Sequence, residues 1–330
     1  MRILLAMLLL GLPLFAATDE RTRALAEHIE GLEHNQVLTD AARVQQMYDA
    51  LIAIADFTPD PLVAPLLERH AAAGYRLPGF RTDEGHRTAI MTHDTAAAAK
   101  FALQQWERQR GRVHAVHALA DQSGTIDYTV SEGMLAGYAQ GFAAASDADL
   151  AVARNGLGDA LKAGRPVESL ALILVERLAD RGLATLLLEQ GRPGIVVHML
   201  PRIAKAFPAD DAVPILVAGT TRGELASALV AQIGKLSGKS HAAHTWLLDQ
   251  FGDDRLGTSA AAALALTENP IAIAAMVDKL HGPGTPLARS RAALGLKLSG
   301  TRAARDALQK FADDPNAPPA LRAQVTDWLR

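Results

Sequence analysis

The chain is expected to fold as an all-α protein, and three observations lead there. Its 330 residues are 49% hydrophobic, enough to bury a large core in one long domain or two ordinary ones. Composition leans on Ala and Leu with only 5% aromatics, and long Val/Ile/Thr alternations are nearly absent, which favours helix over sheet. The second half also repeats itself at a period of about 30 residues, the length of two short helices with their turns.

The first seventeen residues, MRILLAMLLLGLPLFAA, place Arg2 before an apolar run from Ile3 to Phe15 and then two alanines. That is the layout of a secretory signal peptide, with cleavage expected near Ala16 or Ala17. At ~1.5 Å per residue the run reaches about 20 Å of a ~30 Å hydrocarbon core, so no stable membrane span is expected after leader cleavage. An uncut leader acting as a short anchor is the alternative.

From Asp19 to Ala55 the pattern reads as two helices. Leu25, His28, Ile29 and Leu32 mark the apolar face of the first, and Val44, Met47, Leu51 and Ile54 that of the second, which Thr39 or Asp40 can cap. In TPDPLVAPLLERHAAAG, Thr58 is the expected cap, Pro59 and Pro61 sit at or before the first turn, and Gly74 ends the helix. Residues 75–95 read as irregular, and another helix is expected to about Gln109. Within RVHAVHALADQSGTIDYTVSEG, Ile126, Tyr128 and Val130 alternate with Thr125, Asp127 and Thr129, and Asp121 to Gly124 is turn chemistry, so a small β-hairpin is expected there.

Helices resume at Ser131, and the repeat then becomes visible. Ala/Leu-rich helices open at Leu225, Leu256, Leu287 and Leu321, at intervals of 31, 31 and 34 residues. Partner helices end at Phe251, Leu280 and Phe311, spaced 29 and 31 apart. Breakers fall between them at Gly252, Asn269-Pro270, Pro283, Pro286, Gly300 and Pro315. Fainter copies begin at Ile195 and Leu170. A lone hairpin of this length cannot bury both sides of its apolar stripe, so each needs a neighbour. The expected division is a signal peptide at 1–17, an N-terminal helical region at 18–164 and a repeat domain at 165–330.

The strings DDAVPILVAG from Asp210 and DDPNAPPALRAQVTDWL from Asp313 resemble the short HEAT-type repeats of exported bacterial proteins. The resemblance covers about half the chain. It implies an α-α superhelix, a HEAT-like α-solenoid, whose surface holds another protein or peptide.

Other features bound the chemistry. Net charge is −3, from 33 basic and 36 acidic residues with the signs interleaved, so no electrostatic footprint for nucleic acid is present. Arg108, Arg110 and Arg112 form the one dense basic stretch and read as a solvated helix end. The chain has no cysteine, which excludes disulfides, thiolate metal sites and thiol nucleophiles. GKLSGKS from Gly234 is one residue short of a phosphate-loop spacing and follows a helix where a strand is required. Gly156-Leu-Gly158 lacks the third glycine of a dinucleotide fingerprint.

His114 and His117, and His241 and His244, are each three apart, which on a helix puts both rings near one face, but two ligands make no zinc site. The stretch with His86, His93 and Asp94, surrounded by Arg81, Asp83, Glu84 and Arg87, is the remaining place for local chemistry. Trp106, Trp246 and Trp328 read as core residues. No catalytic, cofactor-binding or metal residue is assigned. The expectation is a non-catalytic protein-interaction scaffold of the bacterial periplasm or exterior, of unassigned oligomeric state. The alternative is a helical hydrolase or metal-dependent enzyme with a His/Asp site in residues 80–130.

Overall fold

A computed structural model describes residues 18–83, 86–121, 126–267 and 269–330, with the side chains of 79–91 left aside. Residues 1–17, expected to be a signal peptide, and residues 122–125, which hold most of the expected turn, lie outside the described residues. The described residues form 17 α-helices and one two-stranded sheet, so the all-α expectation holds. The chain divides into two compact units, Met1–Ala145 and Ser146–Arg330.

In the first unit, α1 (Thr18–Glu33) and α2 (Asp40–Ile54) form as their apolar spacing predicts. Leu25, Ile29, Leu32, Met47, Leu51 and Ile54 are buried together, and the Thr39 side chain accepts the amide of Ala42 as N-cap. The third helix, α3 (Ala64–Ala73), starts later than expected, with Pro65 in its first turn. Thr58 does not cap it: its carbonyl accepts the Thr22 hydroxyl, and the turn is organised by Asp60, whose carboxylate accepts the amide of Leu62.

Two expectations fail between residues 75 and 131. The segment read as irregular is an antiparallel hairpin, β1 (Arg76–Asp83) and β2 (His86–Asp94), with a register shift between Leu77 and Pro78. The hairpin expected near 126–130 is absent, because α4 (Thr95–Ala120) runs through 112–120 and Asp127 folds back on the amide and hydroxyl of Thr129. Helix wins over strand at 112–120 because Gly111, Ala115 and Leu119, spaced by four, form a buried stripe. That stripe faces α5 (Glu132–Ala144), whose own small residues Gly133, Gly137 and Gly141 recur at the same interval. A Cβ on Gly137 would fall inside contact distance of the Arg108 carbonyl, and one on Gly141 would lie 2.8 Å from the Ala115 Cβ. The two backbones touch because glycine leaves room for them.

The second unit is helical throughout: α6 (Asp147–Lys162), α7 (Glu168–Leu178), α8 (Arg181–Gln190), α9 (Pro193–Lys205), α10 (Ala209–Gly219) and α11 (Gly223–Leu236). It continues with α12 (His241–Asp249), α13 (Gly257–Ala265), α14 (Pro270–His281), α15 (Pro286–Ser299), α16 (Arg302–Asp313) and α17 (Pro319–Leu329). Its extensive helix packings join each helix to the next or to the next but one. Odd-numbered helices therefore stack on odd and even on even, in two rows. The repeat starts seen in the sequence, from Leu170 to Leu321, all lie on or at the edge of odd-row helices in order, and the partner strings end in or beside the even row. The unit begins at Ser146, upstream of the expected 165, because α6 packs on α7 and α8 as a member of the stack.

Polar ties cross between helices of the second unit. Glu168 is buried, and its carboxylate takes two bonds from the Arg192 guanidinium and one from the Arg192 amide. Arg202 grips Glu176, Arg154 grips Asp180, and the Ser240 hydroxyl donates to Asp210. Buried Arg291 donates to the carbonyls of Phe251, Asp253 and Asp254 beside a single 3-10 turn at Gln250–Gly252. Carbonyls left open at a helix end are satisfied this way.

Candidate functional site

In α11, Leu225, Leu229 and Ile233 are buried, and the opposite side presents Ser227, Ala231, Gly234 and Lys235. In α13, Ala260, Ala261 and Leu264 are buried, while Ser259, Ala262, Ala263 and Leu266 face the same way as the α11 stripe. Spacings of three and four residues put each set on one side of its helix. The two stripes line a groove of about 640 Å³. Gly234 sets its depth, since a Cβ there would lie 2.8 Å from that of Ala263. The Ser227 and Ser259 hydroxyls bridge the helices at 3.2 Å. Leu266, which ends α13, is 80% exposed, and Lys235 supplies the one charge among the described lining residues.

Exposed aliphatic side chains concentrate on this row. Of the six large hydrophobic residues that the second unit leaves exposed among its described residues, Ile195, Val197, Leu266, Leu287 and Leu298 belong to odd-row helices or their caps. Only Ile271 belongs to the even row. Such residues, when gathered on one row, are more informative than when scattered singly.

The glycine–lysine string GKLSGKS lies at this groove, but its geometry is wrong for phosphate. Gly234 and Lys235 form the last turn of α11, and the amides of Ser237, Lys239 and Ser240 are already bonded to carbonyls of that turn. A helix C-terminus carries the negative end of the dipole and repels an anion. Gly156 and Gly158 sit within α6, where no phosphate-binding turn exists.

The histidines do not assemble. Asp94 caps the start of α4, accepting the amide of Ala97, and pairs with Arg76. His93 meets the Tyr48 ring edge-on at 5.2 Å. His114 and His117 lie near the far end of the same helix, about 30 Å away at ~1.5 Å per residue. The groups that the enzymatic alternative needs in one pocket are thus at opposite ends of α4. The side chains of His86, Arg81, Asp83, Glu84 and Arg87 lie outside the described residues. In α12, His241 is exposed and His244 buried, and burial, with the neighbouring His241, pulls the His244 pKa below its ordinary value. Among the described residues no group of three or more His, Asp or Glu side chains is placed to hold a metal ion. Trp106 is a core residue, its indole N–H donating to the Ile54 carbonyl at 3.2 Å, while Lys297 sits over the Trp328 ring.

A second concavity lies in the first unit, a cleft of about 790 Å³ between α4 and the segment from Thr58 to Glu68. Leu103, Trp106, Arg110, Val113, His114 and His117 line its α4 wall. The arginines at 108–112 are therefore on the body of a long helix, not at a solvated end as expected: Arg110 opens into the cleft and the Arg108 Nε is buried without a partner. The His114 ring stacks on buried Tyr138 at 5.6 Å, which fixes it from behind.

No family model matches the chain, and neither a curated protein nor a solved structure matches it. Among the described residues, no helix is long and apolar enough to cross a membrane. The groove residues escaped the sequence reading because Ser, Ala and Gly on one side of a helix look like ordinary filler. The signal was present as their recurrence opposite the Leu stripe, with an unburied Leu266 at the end.

Proposed function

We propose that this protein is a non-catalytic interaction scaffold, a HEAT-like α-solenoid that holds another polypeptide along the exposed side of its odd-row helices. The observation that carries the reading is the concentration of exposed aliphatic residues on that row, beside the groove between α11 and α13. A stack whose members contact only near neighbours cannot enclose a deep central pocket, so extended binding along a row suits it better than chemistry in a cavity. The leader-like first seventeen residues support a periplasmic or secreted location.

Site-specific photo-crosslinking in producing cells tests this. A crosslinking residue at Leu266 or at Leu298 is expected to trap the same discrete partner, while one at Ile271 in the even row traps none. Equal labelling at the three positions, or adducts at none, would sink the proposal.

A further inference from the structure

We propose that the first unit's cleft is a binding site for short apolar peptides in their zwitterionic form. Arg110, on the α4 wall, is exposed and has no ion pair among the described residues; Glu68, on α3 at the other wall, is in the same state. They line one cleft yet lie farther apart than an ion pair. The remaining acid, Asp60, is already committed: the Leu62 amide and the Arg23 guanidinium at 2.5 Å hold its carboxyl below the usual carboxylate range. One cation and one anion therefore line the cleft without a protein ion pair among the described residues, alongside the apolar side chains of Leu103, Val113 and Pro59.

Ligand classes separate on this arrangement. A simple anion would meet Arg110 but be repelled by Glu68, and a cation the reverse. A neutral hydrocarbon would strip water from both charges and return nothing, which is costly. A molecule with a carboxylate at one end, an ammonium at the other and an apolar body between them satisfies every group. His114 and His117, four and seven residues beyond Arg110, stand on the same side of α4 and offer further donors to the carboxylate. A volume of about 790 Å³ is within the range of small-ligand sites and larger than a single amino acid requires. The site is in the other unit from the groove, so it stands or falls independently of the scaffold reading.

The test is titration calorimetry on the full chain with the dipeptide Leu-Leu, its N-acetyl derivative, its C-terminal amide, and dodecanoate. Leu-Leu is expected to bind saturably at one site, and each blocked form at least about tenfold more weakly, the size of one lost charge-assisted hydrogen bond. In Arg110→Gln the preference for the free acid over the amide should fall several-fold, with His114 and His117 keeping a remainder; in Glu68→Gln the free and acetylated amines should become equivalent. Both side chains are exposed, and the ligand series on the unaltered protein gives an answer that does not depend on either variant folding. Absence of Leu-Leu binding, blocked forms binding as tightly as the free peptide, undiminished discrimination in the variants, or dodecanoate binding as tightly as Leu-Leu would each overturn the proposal.

Discussion

The helix pair α4/α5 in the first unit and the stacked rows of the second solve the same packing problem in opposite ways. In the pair, the close approach brings main chains together, so that at Gly111 and Gly137 an added Cβ would meet backbone atoms that cannot turn aside. In the rows, most contacts are between Leu, Ile, Val and Ala side chains, such as Leu187, Leu216, Leu229 and Ile233, whose rotamers can absorb a change. The lesson is that intolerance to added volume should be concentrated in the first unit. Intolerance to lost polar ties should be concentrated in the second.

Gly137→Ala is the sharpest way to break that contrast. The new methyl would overlap the Arg108 carbonyl, a backbone atom that cannot swing aside, and the helices must separate. Destabilisation of about 3 kcal/mol is expected, the upper part of the overpacking range. Trp106 is the first unit's sole tryptophan, so urea unfolding followed in a Trp246→Phe/Trp328→Phe background reads this unit alone. An unchanged midpoint would mean that α4 and α5 slide apart at no cost.

In the second unit, Arg192→Gln should cost about 2 kcal/mol. It leaves the Glu168 carboxylate, 2% exposed, without its guanidinium, and the solvent that reaches half-exposed Arg192 keeps the loss below that of a fully buried pair. Burial pushes the Glu168 pKa up, but the Arg192 bonds outweigh it and hold the net value below the ordinary one. That stabilisation is complete above the unfolded-state pKa of about 4.3 and is lost as pH falls through the folded value. The acid limb of the stability profile should therefore flatten in the variant, which unfolding at stepped pH in a Trp106→Phe background measures.

The first unit has a pH response at higher pH. Burial lowers the pKa of His70, with Glu33 at 3.1 Å opposing it and Arg69 adding to it. The unfolded chain takes up a proton near pH 6.5 that the folded chain resists, so stability falls as pH drops below that point until the folded pKa is passed. The opposing carboxylate makes this smaller than the Arg192 effect. His70→Gln should shrink the limb reported by Trp106 and leave a remainder from His28, whose pKa burial shifts the same way.

How much of this was legible varies by element. The odd-row helices were readable from Leu225, Leu256 and Leu321 because a period of about 30 residues is long enough to show above noise. The hairpin at Arg76–Asp94 was not, since Pro78 and Gly79 are strand breakers and no clear alternation marks either strand. The period-two pattern at Ile126–Val130 misled because alternation is a local signal, whereas the Gly111–Ala115–Leu119 stripe matters only through a partner helix twenty residues on. The candidate sites were less visible still. Glu68 and Arg110 gain meaning from standing across one cleft, which no spacing along the chain encodes, and Leu266 from being left uncovered.

The smallest expected effect sharpens the opening contrast. Gly158 is buried in the interior of α6, and a Cβ there would meet only the Leu186 side chain at 3.5 Å, an ordinary contact. Alanine at that position removes backbone freedom from the unfolded chain and suits the helix, so Gly158→Ala should stabilise the second unit by about 0.5–1 kcal/mol. The same substitution at Gly137 should do the reverse several times over. Because both glycines are buried mid-helix, propensity and burial are matched, and the difference between the two midpoints isolates what lies against the Cβ: a backbone carbonyl in one unit, a movable leucine in the other. Equal signs at both sites would show that the close approach of α4 and α5 carries no energetic weight.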